Sequence, residues 1–163
     1  MRLTSVVADV ATLMLSFSAF TSAMPGPWSV PQEHFEVLSL RNAIPFNADS
    51  VTDVQCRDTD AHIVFHEQNA AQLAICDGIS GAGNMKCRTS SSTTTGTRGS
   101  AKFTLTALTP GAKINISKVR WEECVRAARF KCPTGSLSGT CLGGATSGNV
   151  GFKLESTMYE LDD

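Results

Sequence analysis

The chain has 163 residues, 42% of them apolar, with 14 Lys and Arg against 15 Asp and Glu. That length allows one domain. A net charge of −1 argues against a strongly cationic protein that attacks membranes.

Arg2 precedes an apolar stretch from Val10 to Phe20, which ends in Thr21-Ser22-Ala23. This order predicts a secretory signal peptide over residues 1–23, cut after Ala23, although Asp9 is unusual there. The stretch falls short of the ~20 residues that a bilayer span needs. No other stretch is long enough, so the mature protein is expected to be secreted and soluble, without stable membrane insertion. Residues 24–50 hold Pro25, Pro27, Pro31 and Pro45 without a sustained period, and read as a flexible arm. Trp28 and Phe35 could dock it loosely.

A single domain is expected over 51–156, followed by an acidic tail at 157–163. Val54 and Cys56 alternate with polar neighbours and suggest a strand. Asp58-Thr59-Asp60 offers N-caps for a helix over His66–Cys76, stopped by Gly78. Met85 and Cys87 suggest another short strand. Eight of the nine residues Thr89–Thr97 are Ser or Thr, which predicts a polar loop open to O-linked sugars. Phe103, Leu105 and Ala107 give the clearest strand. Thr109-Pro110-Gly111 predicts a turn, with Ile114 and Ile116 on a hairpin return strand. Ser117 is the expected N-cap of a helix from Lys118 to Lys131. Its apolar stripe is Trp121, Cys124, Val125 and Ala128, and Pro133 ends it. Residues Gly135–Gly148 read as a loop, and Val150, Phe152 and Leu154 as a final strand. The expected fold is α+β: a two-layer sandwich, with a mostly antiparallel sheet and two helices on one face.

The six cysteines are Cys56, Cys76, Cys87, Cys124, Cys132 and Cys141. An even count behind a signal peptide predicts three disulfides, with fifteen possible pairings. Cys132–Cys141 is the preferred local pair, because a Gly/Ser-rich turn could join them. No C-x-x-C pair occurs, which argues against zinc.

Two cysteine-bearing helices, Ala70–Cys76 and Trp121–Arg129, alternate with short cysteine-bearing strands. This order resembles the KP6 killer-toxin-like sandwich of small secreted fungal effectors, over roughly residues 51–156. The resemblance implies a fungal source and an action directed at a host or a competitor. It carries over no functional residue. The Ser/Thr loop and the extra strand near Lys113–Ile116 depart from it.

Candidate chemistry is sparse. His62 and His66 are four apart and could share a helix face, with Glu67 beside them. Ala70 stands where H-E-x-x-H needs its second histidine, and no third metal ligand is evident. His34 lies in the arm. A ribonuclease would need an acid, a base and a cation around a phosphate. His62, His66, Glu67 and Arg57 are the available materials, with nothing to specify their convergence. Ser100 lacks a G-x-S-x-G setting. Gly143, Gly144 and Gly148 lack phosphate-loop spacing and read as turn glycines. Asn115-Ile116-Ser117 is a sequon, with Asn115 facing outward, and predicts an N-glycan.

Charge is distributed in blocks. Residues 24–84 carry eight acids against two bases, whereas 85–131 carry ten bases against two acids. Lys118, Arg120, Arg126, Arg129 and Lys131 could contact anions, or the blocks could neutralise one another within one fold. No aromatic platform interleaves the basic residues, so nucleic-acid binding is not expected. The leading expectation is a secreted, effector-like protein that binds an unknown host or competitor protein, extracellularly or after entry into host cells. It would need no catalysis, cofactor or metal. The alternatives are a killer-toxin-like or antimicrobial protein and a ribonuclease-like hydrolase.

Overall fold

The structure, a computed structural model, describes residues 30–75, 86–88 and 91–158, the short 86–88 segment by its backbone alone. The expected signal peptide, Trp28, Cys76, Gly78, Met85 and most of the acidic tail lie outside the described residues.

Five strands form one antiparallel sheet in the order β1-β6-β7-β4-β3. They are β1 (Val51–Cys56), β3 (Thr93–Arg98), β4 (Ala101–Ala107), β6 (Leu137–Gly144) and β7 (Asn149–Ser156). β2 (Lys86–Arg88) and β5 (Asn115–Ser117) pair separately. Helices α2 (Phe65–Ala74) and α3 (Lys118–Lys131) cover one face of the sheet. The fold is therefore the expected α+β sandwich with disulfide staples.

The alternating apolar residues of β4 and β7 meet in register. Phe103 faces Leu154, and Leu105 faces Phe152. Trp121 of α3 sets its ring edge-on to both Phe103 and Phe152, at centroid distances of 5.2 and 5.3 Å. Its indole N–H donates to the Gln72 carbonyl at 2.9 Å, so the one polar atom of a buried ring is satisfied. Cys124, Val125 and Ala128 continue the same stripe into the core. Ser117 caps α3 as expected, accepting from the Arg120 N–H at 3.1 Å.

Four expectations are corrected. The Ser/Thr segment is not a loop: Thr93–Arg98 is edge strand β3. β-branched threonines suit a strand, and the strand lies directly on the α2 backbone, where the Thr94 hydroxyl donates to the Ile75 carbonyl at 2.8 Å. Gly96 makes this possible, because a Cβ there would fall on the Ala71 carbonyl oxygen and the Ile75 amide nitrogen. Residues 135–148 are not all loop either, since Leu137–Gly144 is β6, near the middle of the sheet. Its small residues leave room for large neighbours. Gly139 faces Phe152, whose ring would lie 3.1 Å from an added Cβ. Ile114 and Ile116 are buried as expected, yet Asn115–Ser117 pairs with β2 and Ile114 bridges to Ala145, rather than returning along β4. β4 has no free edge for a return strand, because β3 and β7 occupy both sides. Finally, Gln32–Ala43 in the expected flexible arm is a helix, α1, which packs on α2 and α3. Val37 is its single buried apolar residue.

Thr109-Pro110-Gly111 turns as expected, with the Ala112 N–H donating to the Thr109 carbonyl at 3.0 Å. Gly111 has φ +77°, the left-handed value that the third turn position requires. At the far edge of the sheet, β1 pairs with β6 irregularly between Thr52 and Gln55. Asp53, with φ +53°, sits in that bulge.

Two disulfides are described. Cys56–Cys132 ties the end of β1 to the end of α3, and Cys124–Cys141 ties the middle of α3 to β6. The preferred Cys132–Cys141 pair is thus overturned. Cys141 lies on a strand that runs beneath α3, so its neighbour is Cys124 rather than the cysteine closest ahead of it in sequence. Cys76 and the Cys87 side chain lie outside the described residues.

Candidate functional site

α3 has a second face, beside its apolar stripe, and this face is polar. Lys118 and Glu122 are only 4% and 1% exposed. Such groups cannot be left without partners at that depth. Lys118 Nζ pairs with Glu36 of α1. Glu122 accepts from Arg41 Nε of α1 at 2.7 Å and from Gln72 Nε2 of α2 at 2.7 Å. Arg126 donates to the carbonyls of Arg41 and Ile44, both at 3.0 Å, at the end of α1. Arg129 donates to Gln68 Oε1 of α2 at 2.8 Å and to the Cys132 carbonyl at 3.1 Å. Arg120 donates to the Leu142 carbonyl and pairs with Glu123. The basic helix is therefore bound in large part within the fold, and acidic and basic blocks meet where Glu36 reaches Lys118.

A cleft of about 490 Å³ opens beside this interface. Arg41, Arg126 and Arg129 line it from the helices, with Phe65 and Gln68 of α2. The 59–63 segment contributes Asp60 and His62 to the same lining. Phe65 is 52% exposed, and the Arg41 guanidinium stands 5.6 Å from its ring centroid. Of the three guanidiniums, that of Arg41 is paired with Glu122. Arg126 and Arg129 have no carboxylate partner among the described residues. Burial lowers the Arg129 pKa to about 10, so it remains charged at neutral pH. Asp58 does not cap α2 as expected. Its carboxylate instead accepts from the Asp60 and Ala61 N–H groups at 3.0 and 3.2 Å, folding this segment into a turn. The N-cap of α2 is Val64, whose N–H donates to Ser100 Oγ at 2.8 Å.

The expected acid–base residues are dispersed. His62 is exposed and lies on the cleft. His66 faces away toward His34, with ring centroids 6.4 Å apart. Glu67 accepts from both the N–H and the hydroxyl of Ser100, at 2.7 and 2.6 Å, and so locks the β3–β4 turn to α2. Burial raises the Glu67 pKa, but the two Ser100 bonds and the nearby histidines outweigh it and hold the carboxyl below its ordinary value. Ser100 thereby links the β3–β4 turn to the start of α2. Arg57 donates to Ser138 Oγ at 3.0 Å and lines a different groove, on β1, β4, β6 and β7. His34 Nδ1 lies 2.9 Å from Asn69 Nδ2. Its pKa is lowered by burial first, then by His66 and Arg41. Asn115 is half-buried rather than outward-facing, and its Oδ1 is buried without a partner among the described residues.

The sequence reading missed Arg41, Phe65 and Gln68. The opposed charge blocks were the available signal, since an acidic arm and a basic helix in one domain can be partners. No family model, curated protein or solved structure matches this chain.

Proposed function

We propose that this chain is a secreted, effector-like protein that acts by binding a host or competitor target, without catalysis. The observation that carries this reading is the cleft: three guanidiniums and a half-exposed aromatic ring stand together on a disulfide-held scaffold. Arginine and aromatic side chains are the usual anchors of recognition surfaces. Two of the acid–base groups that could serve a hydrolase are engaged elsewhere, Glu67 with Ser100 and His34 with Asn69, which leaves His62 on the cleft. The KP6-like resemblance belongs to the same proposal and rests on the order of cysteine-bearing helices and strands in the sequence; the two described bridges, each joining α3 to the sheet, are compatible with it. An N-glycan at Asn115 is also proposed on its sequon alone, and loss of a mass increment in Asn115→Gln would test it.

The test uses tagged mature protein incubated with host and competitor extracts. Specific capture of a partner, lost in a folded Phe65→Ala variant, is the expected result. Unaltered capture by that variant would move the contact region away from the cleft.

One observation favours a second reading. His62 shares the cleft with three arginines, which is the beginning of a phosphodiester-cleaving site. RNA cleavage by wild type that disappears in folded His62→Ala would establish it and remove the non-catalytic reading. Retained cleavage in that variant would point to a contaminant.

A further inference from the structure

We infer that the arginine cleft is a binding site for a phosphate group carried as a monoester. This deepens the binding function proposed above and rests on the cleft being the contact region. The argument begins with Gln68, which is 2% exposed. Arg129 can only donate, so the Gln68 amide must turn its oxygen toward Arg129 Nε. That fixes Nε2 on the other side, where it is buried and has no acceptor among the described residues. A buried donor without an acceptor is costly, so the Gln68 amide, which lines the cleft through a residue that is otherwise covered, is left with an unmet demand for an acceptor oxygen.

The neighbouring groups ask for the same thing. Arg126 and Arg129 carry two positive charges with no carboxylate partner among the described residues; they hydrogen-bond neutral oxygens, and Arg126 also stands 5.4 Å from the Phe46 ring centroid. His62 also lines the cleft. These donors come from separate elements, the helices and the 59–63 segment. A carboxylate offers two oxygens in one plane, whereas a phosphate monoester offers three at tetrahedral directions and up to two negative charges. The exposed Phe65 ring gives the ester substituent an apolar surface. One group opposes an anion: Asp60, in the same lining. It is exposed, so solvent screens its repulsion more than that of a buried carboxylate.

The experiment is a titration of purified mature protein with inorganic phosphate and with phenyl phosphate, at constant ionic strength. Backbone amides and the arginine Nε–H signals are followed by NMR. Acetate and benzoate serve as controls. Saturable shifts at Arg126, Arg129 and Gln68 are expected, with phenyl phosphate binding more tightly than phosphate. Arg129→Gln and Arg126→Gln should each weaken binding by about tenfold or more. Asp60→Asn should strengthen it by about two- to fivefold, an outcome that misfolding cannot imitate. Vesicles of phosphatidylcholine with phosphatidic acid test the ester's source. Retention lost in the arginine variants assigns a lipid headgroup, and indifference to the vesicles with binding of phenyl phosphate assigns a soluble ester. Either upholds the site.

The inference fails if phosphate produces no saturable shift, if the carboxylates bind as well as the phosphates, or if Asp60→Asn weakens binding. Capture of a protein target that persists without any phosphate binding would remove this inference and leave the binding function standing. Phosphate binding without any captured target would do the reverse.

Discussion

The two faces of α3 are held by different physics. Its apolar face, led by Trp121, is closed on the sheet by ring contacts and by Cys124–Cys141. Its polar face is closed on α1 and α2 by charged hydrogen bonds, with Val37 the only buried apolar residue that α1 contributes. Apolar packing tolerates imperfect geometry, whereas a buried ion pair is useful only when every member is satisfied. The comparison implies that the first face sets the stability of the domain, and that the second decides whether α1 stays in place.

Trp121→Ala tests the first face directly. It should cost about 3–5 kcal/mol in denaturant unfolding, the usual loss for a large buried aromatic. A much smaller loss would mean that the core does not depend on α3. Arg41→Ala tests the second face. It leaves buried Glu122 with Gln72 as its remaining partner, and about 3 kcal/mol is expected. Arg41→Met with Glu122→Met should recover most of that loss, because replacing both members avoids a stranded charge. If the double variant is as unstable as the single one, the interface is not held by this pair.

Gly96→Ala sharpens the comparison from the sheet side. Its Cβ would press on the α2 backbone, so about 1–3 kcal/mol is expected from overpacking. The smallest effect is pH-dependent. His34 has a pKa below its ordinary 6.5, so an unfolded chain gains a proton that the folded one resists. Stability present above pH 6.5 should therefore decline as pH falls through that value toward the lowered pKa. Glu67, held below 4.5, should add a second decline beneath that pH. Melting curves of His34→Gln should keep the second decline and lose the first. An unchanged profile between pH 7 and 5 would remove His34 from the account.

How much of this could be read in the sequence follows the same division. Trp121, Cys124, Val125 and Ala128 declare a helix face because apolar spacing reports burial. The same holds for Phe103, Leu105, Phe152 and Leu154 on their strands. β3 and β6 were hidden because their place in the sheet is secured by small residues, Gly96 and Gly139, beneath larger neighbours. Composition alone makes such segments look like loops. α1 was hidden for the converse reason. Its contacts are Glu36, Arg41 and carbonyl oxygens, and polar residues in a sequence carry no mark of whether they face water or each other. The cleft inherits that silence, since it forms where α2, α3, the end of α1 and the 59–63 segment converge. The cysteine pairing was open for a topological reason: Cys132 pairs back to β1 across 76 residues.

The bulge in β1 has a consequence for the company this protein keeps. β1 is an outer strand, and an outer strand invites a second chain to dock along its unpaired backbone. Between Thr52 and Gln55 that invitation is withdrawn, because the ladder loses its even spacing and Asp53 places a carboxylate in a left-handed kink. A copy arriving there would have to match the irregularity and bring its own Asp53 close to the first. Crowded molecules of this protein should therefore not lengthen one another's sheets through β1, and fibril growth through that edge is obstructed in the native state.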